Sequence, residues 1–158
     1  MNTLGNNTQK IVTFLWFNDQ AEEAMNLYTN LFNDSKILSV NRMGEKVLTA
    51  TFELAGQQFI ALNGGPQFPF TEAVSLFIKC DSQEEVDFFW NKLTADGGQE
   101  GRCGWLKDKF GLSWQVVPTR MGELLGDPDP ARAGRAMQAM MQMNKLDIAA
   151  LEKAANGA

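Results

Sequence analysis

The chain has 158 residues, 44% apolar and 21% charged, which is enough for one well-packed domain and ordinary for a soluble globular protein. A net charge of −5 argues against a general positive field that would draw nucleic acid or an anionic membrane, so neither is expected as a partner. The absence of histidine removes Ser-His-Asp and Cys-His catalysis, the HExxH zinc motif and the imidazole proton shuttle together.

Residues 1–9 read as a disordered lead-in without the basic and apolar regions of a signal peptide, and a cytoplasmic location is expected. Cys80 and Cys103 fit that compartment as free thiols, since neither lies in a CxxC. Ile11–Phe17 is an apolar run of strand length. Asn18-Asp19 then offers a helix start, and the spacing of Ala21, Ala24, Met25, Tyr28 and Phe32 predicts an amphipathic helix over 20–32. Three strands are expected next, at Lys36–Arg42, Val47–Leu54 and Gln57–Leu62, with turns at Gly44-Glu45 and Ala55-Gly56. Gly64-Gly-Pro-Gln-Phe-Pro-Phe70 is a linking segment.

After that link the pattern restarts. Val74–Cys80 reads as a strand, Asp81-Ser82 as a helix start, and Val86, Phe89, Trp90 and Leu93 as an apolar stripe that stops at Asp96-Gly97-Gly98. An offset of 62 places Asp19-Gln-Ala-Glu-Glu-Ala on Asp81-Ser-Gln-Glu-Glu-Val and Tyr28 on Trp90, which suggests an internal duplication. Short strands follow around Gln99–Cys103, Trp105–Lys109 and Leu112–Val117, the last two joined by a turn at Asp108–Gly111. Asp108, between Lys107 and Lys109, reads as a solvated turn charge. Glu22-Glu23 and Glu84-Glu85 read as partners of helix dipoles rather than a catalytic pair. Trp16, Trp90 and Trp114 read as packing between sheet and helices.

The predicted class is therefore α+β, with two βαβββ units forming a curved mixed sheet or half-barrel. The units are placed at 10–63 and 73–118 within a domain spanning 10–118. Residues 119–158 form a helical extension expected to pack on the domain or on a dimer partner. Its parts are a short helix Thr119–Leu125 capped by Thr119, a break at Asp127-Pro-Asp-Pro130, a Met-rich helix Ala131–Asn144, and a last helix capped by Asp147.

The paired βαβββ layout resembles the vicinal oxygen chelate superfamily of glyoxalases, extradiol dioxygenases and antibiotic-resistance proteins. Leu15-Trp-Phe, Ala21-Glu-Glu-Ala, Leu62-Asn-Gly-Gly-Pro, Phe70-Thr-Glu-Ala and Cys103-Gly-Trp-Leu-Lys-Asp-Lys-Phe-Gly-Leu-Ser-Trp-Gln resemble the PhnB-like family, often labelled demethylubiquinone methyltransferase-like. Gly122-Glu-Leu-Leu and Asp127-Pro-Asp extend the likeness over about residues 10–152. Methyl transfer from S-adenosylmethionine is not expected, because Gly97-Gly98 follows a helix and Gly64-Gly65 leads into prolines, the wrong order for a Gly-rich strand-to-helix turn.

The resemblance also locates the superfamily's metal-ligand slots, at Thr13, Ala61, Ser75 and Gln115, with Asn63 replacing Ala61 under a two-residue slip. Only one neutral amide or two stands there, so no metal or other cofactor is expected. A cleft between the halves would take hydrogen bonds from Thr13, Asn63, Ser75 and Gln115 and an apolar wall from Leu15, Phe17, Phe77 and Trp105. The alternative is a filled barrel in which Thr13 and Ser75 are satisfied sheet residues. Cys103 beside Arg102 is either a low-pKa thiol or an inert one. Three functions follow: a metal-independent small-molecule-binding protein acting as a homodimer, a cofactor-free isomerase or lyase in the same cleft, and an interaction module working through the Met-rich helix.

Overall fold

A computed structural model describes residues 9–158, so nearly all of the expected lead-in lies outside the described residues. The chain divides into two compact units, one ending at Phe70 and one running from Thr71 to Ala158.

The first unit begins with β1 (Thr13–Phe17) and α1 (Ala21–Leu31), followed by β2 (Lys36–Met43), β3 (Lys46–Leu54) and β4 (Gln57–Asn63). The sheet order is β1-β4-β3-β2, with β1 parallel to β4 and the other pairs antiparallel. Register fixes which side chains share a face. Leu15, Phe17, Phe59, Ala61, Ala50 and Phe52 point one way and are all buried, on the side where the apolar stripe of α1 (Ala24, Met25, Tyr28) also disappears from solvent. Phe14, Trp16, Ile60 and Leu62 point the other way, and Phe14 is 54% exposed.

Trp16 thus lies on the face turned away from α1, and the expectation that it packs between sheet and helix is corrected. The segment after β4 takes the helix's place. Phe68 meets the Trp16 ring edge-on at 5.0 Å, and Trp16 Nε1 donates to Gly65 O at 3.0 Å. Gly64 is needed for this approach, because a Cβ there would lie 2.3 Å from the indole.

The helix start also differs from expectation. Neither Asn18 nor Asp19 caps α1. The side chain of Asn63 does so from the end of β4, its Oδ1 accepting from Ala21 N at 2.8 Å and its Nδ2 donating to Val47 O at 2.9 Å. Glu22 reaches Arg42 at 2.6 Å, and that hydrogen-bonded guanidinium holds its carboxyl below the usual range.

The β3–β4 hairpin turns through Ala55 (φ +50°) and Gly56 (φ +80°), two consecutive left-handed residues as a type I′ turn requires. Alanine is the wrong residue for the first position. Ala55→Asn or Ala55→Gly is expected to raise stability by about 1 kcal/mol, read as a higher urea midpoint at unchanged slope.

The second unit repeats the plan with β5 (Ser75–Cys80), α2 (Gln83–Thr94), β6 (Gln99–Glu100), β7 (Trp105–Lys107) and β8 (Ser113–Pro118), in the order β5-β8-β7-β6. Both units are therefore βαβββ with a four-stranded mixed sheet, and the class is α+β with C-terminal helices, as predicted. Ser82 Oγ accepts from Glu85 N at 3.2 Å and Glu85 Oε2 from Asp81 N at 2.8 Å, a reciprocal cap that gives Glu85 a definite role. Ile78, Cys80, Leu106, Trp114 and Val116 are buried on the side of Val86, Phe89 and Trp90 of α2.

β7 ends two residues sooner than predicted, and β8 begins one residue later, because Asp108 is not a solvated turn charge. It is 3% exposed. Its Oδ1 accepts from Phe110 N (2.9 Å) and Leu112 N (3.0 Å), and its Oδ2 from Trp114 Nε1 (2.9 Å). The carboxylate is thus the internal template of the β7–β8 turn, and β7 stops at Lys107 so that it can fold inward.

Three helices complete the chain: α3 (Thr119–Leu125), α4 (Pro130–Met141) and α5 (Ile148–Ala155). Asp129 and Asp147 cap the last two, accepting from Ala131 N and Ala150 N at 2.9 Å, whereas Thr119 caps nothing because it already lies within α3. Leu124, Ala136, Leu151 and Ala155 form a small core of their own, with Met121, Met140 and Met143 packed against it. Met137 and Met141 remain outside, 42% and 54% exposed.

Candidate functional site

The proposed site residues separate by unit and by face. In the second unit, Ser75 and Phe77 of β5, Trp105 of β7 and Gln115 of β8 share the face turned away from α2. Phe77 and Trp105 are both register partners of Gln115, and Ser75 is the partner of Ser113. Gln115 Nε2 donates to Ser75 Oγ at 3.0 Å. Phe77 is 52% exposed, while Gln115, Ser75 and Trp105 are half-buried. A hydroxyl, an amide and two aromatic surfaces therefore meet on one face, a combination suited to a small, partly apolar molecule.

In the first unit the corresponding residues lie elsewhere. Thr13, Leu15, Phe17 and Asn63 share a face, but it is the one that α1 covers. Leu15 and Phe17 are core residues at 5% and 2% exposure, and the Asn63 amide is engaged at both ends by the helix cap and β3. The physical reason is a one-residue difference in a loop. Three residues separate β1 from α1 and two separate β5 from α2, so the repeat offset is 62 for the helices but 63 for the first strand of each unit. Burial follows the same rule: Leu15 and Phe17 match Ile78 and Cys80, whereas Thr13 is not the structural mate of Ser75. A shift by one reverses the face of every side chain on a strand. The helix-distal face of the first sheet instead offers Phe14, Trp16, Ile60 and Leu62.

Sequence reasoning missed three residues on the face that bears Gln115. Ser113 is 1% exposed, and its hydroxyl makes no hydrogen bond. Lys107, the register partner of Ser113, is ion-paired to Glu72, and Lys79 lies exposed beside Val117. Counting in twos from Gln115 and Phe77 would have found Ser113 and Lys79.

No metal centre assembles from these residues. Among the described residues no three His, Cys, Asp or Glu side chains come together as an ion site. The slots Ser75 and Gln115 present a hydroxyl and an amide already bonded to each other, and Ala61 carries no donor, a set that does not fit a divalent ion.

Cys80 is fully buried, and burial pushes its thiol up to about 12. Cys103 is half-buried in the loop before β7. A disulfide-exchange reagent at pH 8 is expected to titrate one thiol in the folded protein and two after denaturation. Because the Cys80 pKa is higher folded than unfolded, its contribution to stability is complete below about pH 9 and disappears between about pH 9 and 12.

Paired βαβββ units define the glyoxalase or vicinal oxygen chelate fold. A fosfomycin resistance protein, FosX, from Listeria monocytogenes, solved with Mn(II) and sulfate, shares that fold at 15% identity and TM-score 0.50, over 68% of this chain and 87% of its own. The chain belongs to the family described as 3-demethylubiquinone-9 3-methyltransferase, the PhnB-like family, whose profile matches residues 9–117. A PhnB protein from Bacillus cereus is 40% identical, over 70% of this chain and 100% of that one, with TM-score 0.66. Protein PA1353 from Pseudomonas aeruginosa is 22% identical, over 70% of this chain and 98% of its own, with TM-score 0.56. No functionally curated protein matches the sequence. The family profile ends before α3, so the likeness read in Gly122-Glu-Leu-Leu and Asp127-Pro-Asp lies beyond it. Among the described residues, no helix is long and apolar enough to cross a membrane.

Proposed function

We propose that this chain is a metal-independent, cytoplasmic small-molecule-binding protein that works as a homodimer. The observation that carries this reading is the helix-distal face of the second sheet, where Ser75, Ser113 and Gln115 lie among Phe77 and Trp105. Neutral hydrogen-bonding groups beside aromatic rings suit a ligand with a polar end and an apolar body. The donor set supports a site without a metal, for the reasons of charge and number given above.

The family's descriptive name notwithstanding, we do not assign methyl transfer. β1 passes to α1 through Asn18-Asp19-Gln20 and β5 to α2 through Asp81-Ser82. Neither turn contains the glycines that let a backbone approach a nucleotide-like cofactor. A cofactor-free enzyme would need a poised acid or base, and the charged groups on the Gln115 face are Lys79 and a Lys107 already paired with Glu72.

Native mass spectrometry of the purified protein, followed by denaturation of the same sample, tests this reading. The expected result is a dimer that releases an organic mass, contains no stoichiometric metal, and gains nothing from added S-adenosylmethionine. Gln115→Leu should reduce the occupancy of that mass. A stoichiometric metal ion, or tight retention of S-adenosylmethionine, would overturn it.

A further inference from the structure

The segment 142–147 joins α4 to α5, outside the part of the chain that the family profile covers. It is held down along its whole length within the second unit. Lys145 Nζ pairs with Asp87 Oδ1 at 2.9 Å. The side chain of Gln83, at the start of α2, reads the peptide on either side of Asp147, donating to Leu146 O at 3.1 Å and accepting from Ile148 N at 2.8 Å. Leu146 is fully buried, and a Cβ on Gly104 would lie 2.9 Å from its Cδ1.

This strap grips the loop that launches β7. Cys103 (φ +58°) and Gly104 (φ +84°) are consecutive left-handed residues, and the first is a costly place for a side chain. Their N–H groups donate to Met143 O and Asn144 O, both at 2.8 Å. Such a conformation persists only where the surroundings over-determine it. The loop passes the constraint on at once. Gly104 O accepts from Val116 N (2.8 Å), Trp105 N donates to Arg102 O (3.0 Å), and Trp105 O accepts from Gly101 N (2.8 Å). The backbone on both sides of Trp105 is thereby tied to a loop whose own shape the strap maintains, beside its pairing with Gln115 in the sheet.

We infer that the C-terminal strap is a positioning element of the candidate site: it fixes Trp105 against Gln115 through the Cys103-Gly104 backbone without touching that face itself. Gln83 is the positioning residue, because it couples α2 to the strap. The functional consequence rests on the binding reading above, but the mechanical claim does not, and the two can fail separately.

The test is 19F NMR of protein labelled with 5-fluorotryptophan, with the Trp105 signal assigned through Trp105→Phe, alongside amide exchange of Cys103 and Gly104. In Gln83→Ala the Trp105 signal should shift or broaden while that of Trp16 stays in place. Exchange at Cys103 and Gly104 should accelerate about tenfold or more, beyond any change at the core amides of β8. Gln83→Glu keeps the acceptor for Ile148 N and loses the donor to Leu146 O, so it should fall between. Lys145→Met offers an independent way to loosen the strap should Gln83→Ala fold poorly. An unchanged Trp105 signal in both variants, or loss of protection spread evenly over the unit, overturns the inference. A positive result with no ligand ever found would leave the strap standing and remove the binding reading.

Discussion

Asp108→Ala is expected to lower the unfolding free energy by about 3 kcal/mol, which for a chain of this length is a fall of roughly 10 °C in melting temperature. The carboxylate is nearly solvent-free and accepts three hydrogen bonds, two from backbone N–H groups and one from the Trp114 indole. Removing it strands all three donors, and the cost is set by their desolvation rather than by the bonds alone. Asp108→Asn retains one acceptor oxygen and should cost about half as much. Urea unfolding followed by far-UV circular dichroism decides the matter. A loss under about 1 kcal/mol would mean that water replaces the carboxylate and that the turn does not depend on it. Trp114→Phe combined with Asp108→Ala should cost less than the sum of the two changes, since they share one bond.

Leu146→Ala is expected to cost about 3 kcal/mol, because a fully buried leucine is lost and Gly104 beneath it cannot move to fill the space. Here the effect should be concentrated in the tail. Limited proteolysis is expected to cut at Lys145 or Lys153 well before any site in β5 or β8, since the strap loses its only buried side chain between Met143 and Ile148. Met141→Ala, at an exposed position of α4, serves as the comparison and should change stability by less than about 0.5 kcal/mol. Equal effects of the two substitutions would show that the tail is not anchored at Leu146.

These two residues mark different limits of reading from the sequence. In the sequence Leu146 is one apolar residue between Lys145 and Asp147, and its importance comes from Gly104, forty-two positions earlier. Asp108 looked like one charge among lysines. A carboxylate flanked by Lys107 and Lys109 is normally solvated, and only the inward fold of the turn brings Trp114 Nε1 to it. No local pattern distinguishes the two cases, because what differs is the direction in which the turn bends.

The same boundary runs through the candidate site. Ser75, Phe77, Trp105 and Gln115 came together because β5, β7 and β8 kept their expected alternation. Thr13, Leu15 and Phe17 went to the helix side because β1 is apolar at every position from Phe14 to Phe17. Such a run gives no parity of its own, and the offset of 62 that relates the helices does not carry over to β1 and β5.

The sequence by itself determined the element types, the duplication, the family and the absence of imidazole chemistry. The family rests on the resemblance of its motifs; the rest follows from periodicity, turn residues and composition, which act locally and survive small changes in loop length. The faces of β1, the burial of Asp108, the Asn63 cap and the strap over Cys103-Gly104 were decided only by the tertiary structure. The Asn63 cap and the strap depend on contacts between residues far apart in the chain, the burial of Asp108 on the direction in which its turn bends, and the faces of β1 on one residue more or less in a loop.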